Sequence, residues 1–307
     1  MRKAGYFLLA LLCGVIIYGS VVEPRYRLHE KPVEAELPGL PRGWDGRQIA
    51  LLADFQIGMW AGNTGVIRDA VDRAIRDSVS LALIAGDFVY KPDSSRVRRA
   101  VDIIRPLVDA GIPTVAVLGN HDYSLAHNTP KRIDQYAAYL EARLEGIGAT
   151  VLQNEATPVT AGDDSLWVVG VGSVWAELAD VDMAMESLPE GAPRIWLMHN
   201  AEAFREIPAE QAHLAFAGHT HGGQVRLIPG RQNSWLDIVR KGEIIGHGWA
   251  ADSLGAAPNR IYINRGIGFS TIPMRINCRP ELTKITLRRS DDVVPTRGPD
   301  ESDLMGS

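Results

Sequence analysis

The chain has little cysteine: Cys13 and Cys278 are its two thiols in 307 residues. That pair supports neither a disulfide framework nor a cysteine-rich metal cluster. A basic excess is also missing. Lysine and arginine number 32 against 37 acidic residues, a formal charge of −5, so no strong positive field argues for nucleic acid as a partner. No repeat of the solenoid kind is visible. Histidine is scarce, at 8 residues, so any place where histidines gather is informative. What is there is ordinary for a globular chain: 46% hydrophobic and 22% charged residues, enough for one large domain or two small ones with a sizeable core.

Long apolar runs are absent except at one place. Arg2 and Lys3 precede AGYFLLALLCGVIIYGSVV, Ala4 to Val22, which as a helix spans roughly 29 Å, about one hydrocarbon core. The run is longer than the apolar part of a cleaved signal and carries no clear small-x-small cleavage site. Residues 1–22 are therefore expected to be an uncleaved single-pass anchor in the cell membrane; export after signal cleavage is the alternative. Leu12 before Cys13 is a poor fit to a lipoprotein cleavage box. Basic residues flank both ends of the run, with Arg25, Arg27 and Lys31 following it, and this leaves the side of the membrane open.

Residues 23–46, polar and proline-bearing, read as a linker, and a single domain is expected over 47–289. RQIALLAD, SLALIAGD and PTVAVLGNHD are near-continuous apolar strands. Between them Thr64 to Asp77 and Ser94 to Ala110 have helical spacing, and a longer helix is expected from about Lys131 to Gly146. That alternation predicts a parallel sheet covered on both faces. The second half is richer in strands: TVLQNE, SLWVVGVGS, RIWLMHN, HLAFAGH, RIYINRG and ELTKITLRR. Residues 290–307 are acidic and poor in bulky side chains, and are expected to be disordered.

Residues that carry chemistry fall at the strand ends. Asp54 closes the first strand, Asp87 the second and Asn120 the third, equally spaced by one strand–helix–strand unit. His199 closes RIWLMH, and His219 and His221 follow HLAFAG. Open parallel sheets bind ligands beyond the carboxyl ends of their strands, so carboxylates, an amide and imidazoles converge on one edge. That donor mix suits Mn, Fe or Zn; an all-oxygen set would suit Mg or Ca. Singly, each has a plain structural reading. An Asp at a strand end usually caps a helix or closes a turn, and His-Thr-His alone is a weak metal signal. The ordered set, with glycine beside several members to let the backbone approach closely, is not explained that way.

The segments D-F-Q, GDFV, GNHD, MHN and GHTHGGQ, in that order between about Gln48 and Leu287, resemble the signature of calcineurin-like metallophosphoesterases. NRIYINRGIGFSTIPMRINCRPELTKITL is similar to the membrane-anchored bacterial branch of that family. The resemblance implies a four-layer α/β/β/α sandwich of two mixed sheets flanked by helices, behind an N-terminal transmembrane helix. It implies a hydrolase acting on phosphoric ester bonds, with two divalent metal ions: Mn, Fe or Zn, or else Mg. The first would be held by Asp54, Gln56, Asp87 and His221, the second by Asp87, Asn120, His199 and His219, with Asp87 bridging. His121 would face the substrate without binding metal, oriented by Asp122. Two such metals about 3.5–4 Å apart clamp a phosphoryl group and make a bridging hydroxide for in-line attack, while His121 donates a hydrogen bond or a proton to the leaving oxygen.

Gln56 departs from the pattern, because the family usually has histidine there. A carboxamide oxygen is harder and a weaker donor than imidazole, so the first site is expected to be weak or biased toward Mn or Mg. In the alternative, Gln56 does not ligate and one tight metal does the work. Trp60 and Asn63 in the loop after Gln56, His127 behind the GNHD turn, and Arg265 are candidate substrate contacts; Arg240, Lys241 and Arg275 are further candidates for phosphate. Trp235, Leu236, Ile238, Val239 and Trp249 either meet a lipid or pack on their own domain. An anchored phosphoesterase of this branch implies a phosphodiester or diphosphate, in a lipid- or envelope-linked molecule such as a nucleotide-diphospho-sugar lipid. The expected partners are thus a phosphorylated small-molecule or lipid substrate and the membrane, with no nucleic acid; the oligomeric state is not legible. The reading from another class is a catalytically weak or inactive membrane-tethered binding module that keeps the fold.

Overall fold

A computed structural model describes residues 2–60, 62–126, 131–226, 234 and 246–290. Helix α1 (Arg2–Ile17) runs through a π turn at Tyr18–Val22 into α2 (Glu23–Tyr26). Together Arg2–Tyr26 is long and apolar enough to cross a membrane, a property that an anchor and a signal sequence share. Residues 2–18 are exposed, and burial begins at Gly19.

In chain order the strands are β1 (His29–Pro38), β2 (Gln48–Leu52), β3 (Leu81–Ala85), β4 (Thr114–Val117), β5 (Thr150–Val151), β6 (Glu155–Ala161), β7 (Asp164–Val171), β8 (Arg194–Met198), β9 (Ala215–Ala217), β10 (Gly248–Trp249), β11 (Ile261–Ile263) and β12 (Glu281–Ser290). They form two six-stranded mixed sheets, ordered β1-β12-β2-β3-β4-β5 and β10-β11-β9-β8-β7-β6. In the first, β2 to β5 are parallel and β12 is antiparallel to β2. In the second, β7, β8, β9 and β11 are parallel, with antiparallel β6 and β10 at the edges.

The linker expected over 23–46 is corrected. His29–Pro38 pairs in parallel with the whole of β12, from His29 opposite Glu281 to Pro38 opposite Ser290. Val33, Ala35 and Leu37 are buried while Glu34 and Glu36 are exposed, the period of a strand with one face on the core. Pro32 and Pro38 are tolerated because β1 is an edge strand.

The same period divides the core. Ile49, Leu51, Leu81, Leu83, Val115 and Val117 pack against Leu166, Val168, Ile195, Leu197 and Phe216 of the second sheet. The alternate residues Ala50, Leu52, Ala82, Ile84 and Ala116 pack against α3 (Thr64–Arg76), α4 (Ser94–Asp109) and α5 (Asp134–Glu145). The first sheet is thus covered on both faces, by helices on one side and by a second sheet on the other. A third cluster packs α6 (Val181–Glu186) and the short turn Ala201–Glu206 over the second sheet. The tail expected to be disordered is outside the described residues from 291 onward, as are His127 and residues 235–241.

Candidate metal centre

β2, β3 and β4 point one way, β8 and β9 do so in the other sheet, and the loops at their carboxyl ends touch across the gap. His199, directly after β8, lies 2.7 Å from the carbonyl of Ala85 at the end of β3. The backbone N–H of His219, after β9, donates to both carboxylate oxygens of Asp54, after β2, at 3.1 and 3.2 Å. To turn this sharply the chain enters the left-handed region at Asp54, Gln56, Asp87, His219 and His221, with φ between 51° and 71°. Such a conformation costs a non-glycine residue about 1–2 kcal/mol. Five instances in one place mark strain that the surrounding sheet edges hold. Backbone bonds supply part of the hold: Asp54 N–H to Gly86 O at 3.0 Å and Gln56 N–H to Asp87 O at 2.9 Å.

Asp87 is the hub. Its Oδ2 accepts from Gln56 Nε2 at 2.6 Å and lies 3.3 Å from His199 Nε2, and its Oδ1 accepts the His121 N–H at 2.9 Å. Around it two groups gather their ligand atoms within 4.8 Å of one another: Asp87, His199 and His219, and Asp54, Asp87 and His221. His199 Nδ1 donates to the Ala85 carbonyl, which can only accept, so its Nε2 faces Asp87, Asn120 and His219. Asn120 is fixed likewise: its amide donates to Leu125 O at 2.9 Å, which turns Oδ1 to within 3.1 Å of His199 Nε2.

Gln56 is oriented the other way. Its nitrogen faces Asp87 and sits 3.4 Å from His221 Nε2, while its buried Oε1 has no hydrogen-bond partner. His221 Nδ1 is buried without a partner as well. Turning the carboxamide over exchanges its oxygen and nitrogen and presents the oxygen to Asp87 and His221.

Two carboxylates in so small a buried volume draw protons. Burial, aided by the Asp87 charge, pushes Asp54 up to about 7. Burial pulls His199 down, but the charge and hydrogen bond of Asp87 and the charge of Asp54 outweigh it and raise His199 to about 9. Burial and then the Arg275 guanidinium hold His221 well below the usual imidazole range. His199 Nε2 and Asn120 Oδ1 turned inward beside the Asp54 and Asp87 carboxylates, with an orphaned Gln56 oxygen close by, make a donor set that fits divalent cations shared through Asp87, the His199 proton being given up on binding.

The remaining candidates divide. His121 stacks on Tyr90, with ring centroids 4.9 Å apart, and its Nδ1 donates to the Tyr90 carbonyl at 3.0 Å; Nε2 faces Ser270 Oγ at 3.4 Å. Asp122 does not orient His121, contrary to expectation. Its carboxylate accepts the backbone N–H groups of Gly119, Asp87 and Val89 at 2.9, 3.0 and 3.1 Å. It therefore braces the two loops that carry Asp87 and Asn120. Trp60 is 65% exposed on the loop after Gln56. Asn63 is buried and donates to Ile267 O at 2.9 Å, and Arg265 pairs with Glu281 at 3.3 Å, so both are engaged within the fold rather than presented to a substrate. Arg275 is fully buried, donating to the carbonyls of Gly268, Arg265 and Cys278. Trp249 packs on its own domain, with the Arg260 guanidinium 4.2 Å from its ring centre and Tyr262 at its edge. Tyr90 and Ser270 escape the sequence reading: neither lies at a strand end beside another polar signal, and only the fold brings them to His121.

The sequence pattern of the calcineurin-like phosphoesterases matches residues 47–223. Phosphodiesterase YaeI of Escherichia coli (strain K12) is 31% identical over 241 residues, which cover 78% of this chain and 82% of that one. The uncharacterized metallophosphoesterase YkuE of Bacillus subtilis (strain 168) is 23% identical over 280 residues, 89% of this chain and 90% of its own. A transmembrane protein with metallophosphoesterase domain from Danio rerio is 24% identical over 283 residues, 85% of this chain and 58% of its own.

Proposed function

The chain belongs to the calcineurin-like phosphoesterase family, and from that premise we propose that this metallophosphoesterase cleaves a phosphodiester or a diphosphate carried by a lipid- or envelope-linked molecule. The observation that carries the reading is the convergence of Asp54, Gln56, Asp87, Asn120, His199, His219 and His221 on one buried cluster from five strand ends. Similarity to a phosphodiesterase supports the diester. The apolar helix supports a substrate at a membrane. On this reading the fold is a four-layer sandwich, helices outside and sheets inside, and the helix is an anchor.

Asp54, Gln56, Asp87 and His221 would hold one divalent cation, and Asp87, Asn120, His199 and His219 the other. When bound, the pair supplies Lewis-acid polarisation of a phosphoryl oxygen and a water acidic enough to ionise near neutral pH. The chain's own residues do the rest. Asp87, held by the His121 N–H, fixes the spacing of the two halves. His121 has its Nδ1–H committed to Tyr90 O, so its Nε2 carries the exchangeable proton, and in the imidazolium form it donates to a leaving oxygen. Tyr90 stacking and Ser270 fix the ring's plane, and Asp122 holds the loops beneath.

The test is the full chain in detergent with Mn²⁺, assayed on an aryl phosphodiester, an aryl phosphomonoester and a lipid diphosphate. Diester or diphosphate turnover that is lost in Asp87→Ala, and that falls about 10²–10⁴-fold in His121→Ala with metal still bound, is the expected outcome. Protein inert toward all three substrates with Mn²⁺, Fe²⁺, Zn²⁺ and Mg²⁺ alike would overturn the proposal in favour of a tethered binding module.

A further inference from the structure

The end of the N-terminal helix is built into the wall of the metal centre. Glu23 is 1% exposed, and its two carboxylate oxygens accept the backbone N–H groups of Asn277 at 3.1 Å and Cys278 at 2.6 Å. One turn earlier, the carbonyl of Gly19 accepts the Arg275 N–H at 2.8 Å. A Cβ at Gly19 would stand 2.6 Å from Ile276 Cγ1, so the helix approaches this segment as closely as a glycine allows. The opposite side of the same segment holds the His221 loop. Cys278 Sγ lies 3.3 Å from His221 O and 3.4 Å from Gly222 O, and Arg275 Nη1 donates to His221 O at 3.4 Å. Ile276 N–H donates to Gln224 O at 2.9 Å. Residues 275–278 are thus clamped between the helix and the strained backbone of His221.

We infer that Glu23 is a positioning residue for the Asp54–Gln56–His221 half of the centre, and that the helix remains attached to the mature protein as a working part of that half. The inference rests on the metal reading above. A carboxylate accepting two backbone N–H groups makes charge-assisted bonds, and its removal leaves two inner donors unmatched. Cleavage within residues 19–22 would place a new ammonium terminus beside Glu23, and any cleavage after Gly19 would remove the carbonyl that holds Arg275. The two halves of the centre respond differently. His199 and Asn120 are held by Ala85 O and Leu125 O, whereas His221, with an unpartnered Nδ1 and a glutamine beside it, takes its backbone position from the 275–278 segment.

The full chain in nanodiscs, stripped of metal, is titrated calorimetrically with Mn²⁺ and compared with Glu23→Ala, Glu23→Gln and Gly19→Val. Mass spectrometry of the native chain from membranes reads its N-terminus. Expected is a weaker binding event reduced about 10–100-fold in Glu23→Ala, the range for groups that position metal-binding side chains, with the tighter event unchanged. Glu23→Gln, which keeps one acceptor oxygen, should lie between, and Gly19→Val should follow Glu23→Ala; these two carry the comparison if Glu23→Ala does not fold. Residues 1–22 should be present in the native chain. The inference is overturned if both events are unchanged, if both weaken equally, or if the native chain begins after residue 19. Since the titration contains no phosphoester, a chain that shows the Glu23 dependence yet hydrolyses nothing fails only the proposed activity.

Discussion

Gln56 Nε2 donates a hydrogen bond to Asp87 Oδ2 over 2.6 Å, so a donor rather than a lone pair is aimed between Asp87 and His221. To ligate a cation the carboxamide must turn over and give up that bond. A hydrogen bond to a charged acceptor is worth about 1.5–3 kcal/mol, roughly ten- to a hundredfold in affinity. Gln56→His is therefore expected to tighten the weaker Mn²⁺ site by one to two powers of ten, and Gln56→Ala to leave two sites of unequal affinity. Calorimetry after mild chelation checks this. Two equally tight sites in the unmodified chain, unmoved by Gln56→Ala, would contradict it.

Asp122 predicts a loss of stability before a loss of chemistry. Its side chain satisfies three buried backbone donors, each costing about 1–3 kcal/mol when left unmatched. Asp122→Ala should lower stability by roughly 3 kcal/mol or more, and metal affinity with it, because the Asp87 and Asn120 loops lose a common brace. Ser270→Ala, one hydroxyl at the edge of His121, should leave thermal unfolding and metal titration unchanged and shift the pH profile of turnover. The reverse pattern would restore the view that Asp122 serves His121.

How much of this was legible in the sequence follows from distance along the chain. Asp54, Asp87, Asn120, His199 and His219 each interrupt an apolar run within two or three residues of a strand's end, so local pattern marks them as candidates, and their ordered recurrence sets them apart from ordinary cap and turn residues. β1 was not legible. Its exposed face is glutamate and proline, and its partner lies some 250 positions away. That the first sheet is buried on both faces was legible in its near-continuous apolar strands; what buries each face was not, because such strands do not name their cover. Asp122 was assigned to its sequence neighbour His121, while its actual partners are three amides on two loops. Glu23, Ser270 and Arg275 act only through tertiary contacts, which no local window contains.

Gly119 is where the hub tolerates least. A Cβ there would stand 2.2 Å from Asp87 Oδ1 and 2.6 Å from Asp87 N, so Gly119→Ala must displace the one carboxylate common to both halves. Both Mn²⁺ binding events should weaken together, with far-UV circular dichroism retained. This contrasts with the selective loss expected at Gln56, and a variant that still binds two cations at unchanged affinity would show that Asp87 is not shared.

His199 makes metal uptake pH-dependent in a stated window. Burial disfavours its charge, but Asp87 and Asp54 together raise it to about 9. Its Nδ1–H is committed to Ala85 O, so the titrating proton sits on Nε2, the atom turned toward Asp87, Asn120 and His219. A cation held there must displace that proton. Below pH 9 the tighter binding event should release a proton, and its apparent affinity should fall about tenfold for each pH unit; above 9 it should level off. For the metal-free chain the sign is opposite. A histidine raised above its unfolded value contributes stability that is complete below about 6.5 and is lost as pH rises to 9. Asp54, raised from 3.8 to about 7, works in the same direction but at lower pH, between those two values. The melting temperature of the metal-free chain should therefore fall between pH 6.5 and 9 while metal affinity rises. Calorimetry in buffers of different ionisation enthalpy counts the released protons. An affinity constant between pH 7 and 9 with no proton release would mean that His199 Nε2 does not meet the metal.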